Sequence, residues 1–119
     1  MAGRENAQEV LDRRLPYDQD AEQGVLGSIL LMPEACDEVS LILRPDDFFD
    51  EANRCLFTHM REMHDAGGKI DVTLLVDRLK TAGHYETIGG GAYLYKISQA
   101  VPNAAHARYY AGIVREKST

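Results

Sequence analysis

Three groups of residues have the types from which chemistry is built. The glycine run Ile88-Gly89-Gly90-Gly91 is the kind of segment that can cradle a phosphate. A phosphate loop, however, needs G-x-x-x-x-G-K-[ST], so that backbone N–H groups wrap the phosphates while the lysine reaches the terminal ones. Here Gly91 runs into Ala92-Tyr93-Leu94 with no strand before it. Gly89, Gly90 and Gly91 therefore read as a structural turn feeding a helix, and a dinucleotide fingerprint fails for the same reason. The histidines are His59, His64, His84 and His106, and the cysteines Cys36 and Cys55. His59 and His64 are five positions apart, off the i, i+4 spacing that puts two ligands on one helix face, and neither cysteine has a C-x-x-C partner. No metal site is expected, and both thiols read as buried and reduced. Asp46, Asp47, Asp50 and Glu51 could in principle separate their pKa values for acid–base work. They lie just before or within the first turn of an expected helix, where negative charge offsets the macrodipole, and capping accounts for them. Ser28, Ser40 and Ser98 have no nucleophile-elbow context. No catalytic residue, cofactor-binding residue or metal ligand is assigned, and the chain reads as a non-enzyme.

The bulk composition narrows the partners. Thirteen Lys+Arg against nineteen Asp+Glu give a net charge of -6, with no basic stripe. Gripping a phosphate backbone requires such a stripe, so strong nucleic-acid binding is not expected and protein partners are favoured. An apolar share of 45% and a charged share of 27% belong to a globular chain. No apolar run approaches the ~20 residues of a membrane span. The first residues lack the apolar centre of a secretory signal, so a cytoplasmic location is expected.

The positioning elements are helices. Residues 1–16, ending in Leu15-Pro16, read as a flexible arm. Asp18 or Asp20 caps a first helix, Glu22 suits its first turn, and its stripe is Ala21, Val25, Ile29 with Leu26 and Leu30. Met32-Pro33 closes it, and a second helix carries Cys36, Val39, Ile42 and Leu43. After Arg44-Pro45 comes a loop in which Phe48 and Phe49 are both expected to anchor in the core. A third helix over 50–65 buries Ala52, Leu56, Met60 and Met63, supported by Phe57, and stops at Gly67-Gly68. Asp71 caps a fourth carrying Val72, Leu75, Val76 and Leu79 as its apolar positions, ended by Gly83. A fifth over 90–100 turns Tyr93, Leu94 and Ile97 inward. Val101-Pro102 breaks it at a structural turn, Asn103 caps a sixth, and Tyr109, Tyr110, Ile113 and Val114 line that helix; Tyr93, Tyr95, Tyr109 and Tyr110 read either as core residues or as exposed interface anchors. Gly24 and Gly27, each costing about 1 kcal/mol in a helix, predict close approach of another helix, more readily within the domain than across a subunit contact. The sum is an all-α, compact orthogonal bundle of about six helices, with 17–102 as its globular part. The last helix reaches Arg115-Glu116-Lys117 with no stop signal, which predicts a truncated chain.

Taken in order, Leu15-Pro16, Ala21-Glu22-Gln23-Gly24-Val25-Leu26-Gly27, Arg44-Pro45-Asp46-Asp47-Phe48-Phe49, Ile70-Asp71-Val72, Ile88-Gly89-Gly90-Gly91-Ala92-Tyr93-Leu94 and Val101-Pro102-Asn103-Ala104-Ala105 resemble the N-terminal domain of DnaB-type replicative helicases. So does the closing segment Tyr109-Tyr110-Ala111-Gly112-Ile113-Val114-Arg115-Glu116-Lys117-Ser118, while Tyr17 and Gly112 are modest departures. The resemblance implies a globular bundle followed by a helical hairpin, with 103–119 as the start of its truncated first arm. It implies domains that pair and assemble as a trimer of dimers, a collar through which DNA is threaded, and a docking surface for primase and for a helicase loader. ATP and Mg2+ would belong to a motor domain of the parent chain. Asp20, Tyr93 and Tyr110 match the places expected to contact partners. A stand-alone helical adaptor domain unrelated to replication is the alternative.

Overall fold

The structure, a computed structural model, describes residues 18–118; the arm assigned to 1–16 lies outside them. Among the described residues there are six α-helices and no strand: α1 Gln19–Leu31, α2 Ala35–Ile42, α3 Glu51–Asp65, α4 Val72–Thr81, α5 Gly90–Ser98 and α6 Ala107–Ser118. A single 3-10 turn, Pro45–Asp47, sits between α2 and α3. Among these residues no helix is long and apolar enough to cross a membrane.

The caps are where short polar side chains can satisfy the free N–H groups of a first turn. Asp18 accepts from the Ala21 N–H at 3.0 Å, Asp50 from the Asn53 N–H at 3.0 Å, and Asp71 from the Thr73 and Leu74 N–H groups at 2.7 and 3.2 Å. Gly67 and Gly83 end α3 and α4 at φ +74° and +77°, a backbone region open to glycine. Gly89 and Gly90 likewise take positive φ at the turn into α5.

The first helix is the hub. It packs against α6, α5, α3 and α2, and every residue from Ala21 to Ile29 is buried. A helix covered on all sides needs room, and Gly24 and Gly27 supply it. A Cβ on Gly24 would lie 3.0 Å from the Tyr110 ring, and one on Gly27 would lie 2.6 Å from the carbonyl oxygen of Ile97. The close approach predicted from these glycines is thus made inside the domain, by α6 and α5.

Several inward assignments need correcting. Phe48 is fully buried against Phe57, ring centroids 4.9 Å apart, but Phe49 is exposed, because successive residues of an extended segment point to opposite sides. Val72 is exposed: α4 packs mainly on α3, and that one neighbour covers only the Leu75–Leu79 stripe. The sixth helix starts at Ala107, not near Asn103, whose Oδ1 instead accepts from the Ala105 N–H in the preceding turn. Its buried side is Ala107, Ala111 and Val114, small residues that let α6 lie close on α1 and α2, and Tyr109 is left exposed on the opposite side. Leu43 caps α2 in extended conformation yet remains buried.

Candidate docking site

A buried carboxylate organises the floor of the site. Glu22 is 1% exposed, and its two oxygens accept from the Phe49 N–H at 2.8 Å, the Asp50 N–H at 3.3 Å and Asn53 Nδ2 at 2.9 Å. These donors belong to the segment that opens α3, so a negative group on α1 meets the electropositive start of another helix. Burial raises the Glu22 pKa, and the three hydrogen bonds work against that rise. Asn53 accepts in turn from the Tyr93 hydroxyl, and Gln23 Nε2 donates to the same hydroxyl at 3.4 Å. Glu22, Asn53, Tyr93 and Gln23 therefore form one satisfied network joining α1, α3 and α5.

Above this floor α1, α5, the turn after α5 and α6 leave an open cleft of about 680 Å³, lined by Asp20, Gln23, Tyr95, Lys96, Gln99, Ala100, Val101 and Tyr110. Asp20 is exposed at its mouth, Tyr110 is half-buried over Gly24, and Tyr95 stands 69% exposed beside them. Of the three residues named from sequence, the fold brings Asp20 and Tyr110 together. Tyr93 is placed apart, half-buried, with its hydroxyl turned into the network below. Tyr95 was not among those three, although its place two residues beyond Tyr93, off the Leu94–Ile97 stripe, is the signal for an outward ring. A second, apolar groove of about 290 Å³ opens between the end of α1, α4 and α5, lined chiefly by Leu30, Val72, Val76, Leu94 and Tyr95.

The carboxylates assigned to capping divide their work. Asp50 caps α3, whereas Asp47 accepts from the Arg44 N–H at 2.8 Å and from Ser118 Oγ at 2.7 Å, with Arg115 at 3.4 Å. It ties the 3-10 turn to the end of α6. Pro102 lies exposed in the turn between α5 and α6, and Gly91, inside the first turn of α5, leaves space that the Tyr85 hydroxyl approaches.

Two histidine clusters lie away from the cleft. His64 sits between Asp37, 2.6 Å from Nε2, and Asp65, 3.1 Å from Nδ1. Hydrogen bonding to Asp37 first, then to Asp65, raises its pKa. Cys55, His59 and His84 bring a thiol and two imidazoles together, one ligand atom from each lying within 4.8 Å of the others. His59 and His64 lie five positions apart, off one helix face, whereas Cys55-x-x-x-His59 spans one helical turn and is the signal in the sequence for this pair.

The residues from 14 to 116 match the family model described as the DnaB-like helicase N terminal domain. The chain is 39% identical over 107 residues to the replicative DNA helicase DnaC of Bacillus subtilis, covering 90% of this chain and 24% of that protein. It is 40% identical over 111 residues to the replicative DNA helicase DnaB of Geobacillus stearothermophilus, covering 92% of this chain and 24% of that protein. The chain thus spans about a quarter of the length of these relatives. Among solved structures, the crystal structure of the N-terminal domain of DnaB helicase from Mycobacterium tuberculosis superposes with a TM-score of 0.84 at 37% identity, over 88% of this chain and 73% of that one.

Proposed function

The chain belongs to the family of DnaB-like helicase N-terminal domains, and we propose that it acts as a non-catalytic collar module, assembling a helicase ring and docking the primase beside it. The observation that carries the docking half is the cleft between α1, α5 and α6. It offers an exposed carboxylate at Asp20, a cation at Lys96 and two tyrosine rings, Tyr95 and Tyr110, on one concave surface. Tyrosine is enriched at protein interfaces because its ring supplies apolar area and its hydroxyl a hydrogen bond. The apolar groove along α4 and α5, with Val72 and Tyr95 exposed on its walls, supplies surface for self-association into dimers and, in the parent chain, a trimer of dimers. Holding a primase on the ring raises its effective concentration at the freshly unwound strand. A helicase loader is a second partner suited to the same outer surface. DNA threads the ring without being gripped by this module, consistent with its net charge of -6. ATP and Mg2+ chemistry falls to the motor part of the parent, and the cytoplasm is where such an assembly works.

Calorimetry with the helicase-binding domain of the cognate primase tests the docking site. Asp20→Ala combined with Tyr95→Ala, both outward-facing and so harmless to the core, should weaken binding by about tenfold or more, the size of a hot-spot loss. Adding Tyr110→Ala should weaken it further. Unchanged affinity in the triple variant would remove the cleft as the docking surface.

A further inference from the structure

The Cys55, His59 and His84 cluster lies on the side of the molecule built by α3 and the turn after α4, and neither the cleft nor the buried network uses it. We infer that Cys55, His59 and His84 form a binding site for one borderline-soft divalent cation of the Zn2+ type, with an open fourth position. The residue types suit such an ion: a thiolate and imidazole nitrogens select Zn2+ over the oxygen-seeking Mg2+ and Ca2+. The spacing suits it as well. Cys55 and His59 are one turn apart on α3, so both side chains leave the same face. His84 follows Gly83, whose φ of +77° turns the chain back after α4 and returns His84 to α3.

The distances need only a small closure. His59 Nε2 and His84 Nδ1 are 3.0 Å apart, and two nitrogens on one tetrahedral Zn2+ at about 2.05 Å stand about 3.3 Å apart. The remaining separations, at most 4.8 Å, exceed the tetrahedral edge by about 1 Å. His84 is exposed, and its ring can turn by that amount as its contact with His59 is exchanged for the ion. His59, by contrast, is 6% exposed and held by the helix, so it presents a preformed ligand.

The ring of His59 is oriented for this: Nε2 faces His84 Nδ1 at 3.0 Å, on the edge an ion would occupy, while Nδ1 points into the buried side of the ring and makes no hydrogen bond. The nearby Arg78 guanidinium is paired with Glu62 at 2.5 Å, which offsets its repulsion of a cation. Binding would proceed by loss of the Cys55 thiol proton to solvent and formation of one metal–sulfur and two metal–nitrogen bonds, leaving the fourth position to water. No electron changes hands. The ion would staple the turn after α4 to α3.

The test is titration of the chelator-treated 119-residue chain with Co2+, which reports thiolate ligation by an intense near-ultraviolet charge-transfer band and tetrahedral geometry by visible bands. One equivalent should saturate both, Zn2+ should bleach them, and Zn2+ should raise the melting temperature by several degrees. Cys55→Ser should abolish the charge-transfer band, and His84→Ala should weaken Co2+ binding at least tenfold. Circular dichroism of each variant without metal shows whether it is folded, and His84, being exposed, can be replaced without opening the core. Absence of the charge-transfer band in the folded wild-type chain overturns the site, as does a band that survives Cys55→Ser.

Discussion

At Glu22 a carboxylate has been taken out of water, which costs several kcal/mol unless donors replace the lost solvent. Three do: the Phe49 and Asp50 N–H groups and Asn53 Nδ2. Glu22→Gln would aim an NH2 group at the donor or donors on one side of the carboxylate and leave them without an acceptor. It should cost about 1–3 kcal/mol, read as a lowered melting temperature in thermal unfolding by circular dichroism. An unchanged midpoint would mean the network contributes nothing. The first helix's Glu22 looked from sequence like a first-turn residue complementing its own helix dipole. The real partner is the start of a different helix, set by tertiary approach that no local spacing encodes. His64 gives the pH prediction. Its pKa in the folded chain is raised above 6.5 by Asp37 and Asp65. The stabilisation from protonated His64 is therefore fully present below pH 6.5 and fades as pH rises through the raised value. Wild type should melt above His64→Ala at pH 6, and the gap should narrow by pH 8. The pair is solvent-screened, so the gap is small.

At the level of helices, the glycines sort themselves by what surrounds them. Gly27→Ala would drive a methyl against the Ile97 carbonyl and force α5 off α1, costing about 1–3 kcal/mol despite alanine's better helix propensity. Gly112, on the exposed side of α6 with nothing within 4 Å, should behave oppositely. Gly112→Ala should stabilise by about 0.5–1 kcal/mol, since only the propensity term remains. Parallel urea melts of the two variants check both signs at once. The helices themselves were legible because caps and stops are local: Asp18, Asp50, Asp71, Gly67 and Gly83 act where spacing placed them. The start of α6 was not, because Asn103 served a turn instead of the helix. Facing was less legible than existence. Val72 and Tyr109 obey helical periodicity, but which side of a helix is covered depends on how many neighbours it has, and α4 has essentially one.

At the scale of the molecule, the all-helical class and the family could be read from the chain, the first from periodicity and the second from ordered motifs along nearly its whole length. The candidate site was legible only in part. Asp20 and Tyr110 are 90 residues apart in sequence and meet because α6 crosses α1, whereas Tyr93, near in sequence to the cleft-lining Tyr95, is drawn inward by Asn53.

The Tyr110 ring lies across Gly24 and also forms part of the cleft wall. One ring thus serves as both packing wedge and doorplate. Its face against Gly24 is spent on holding α6 to the hub helix, and only its remaining edge is on offer to the cleft.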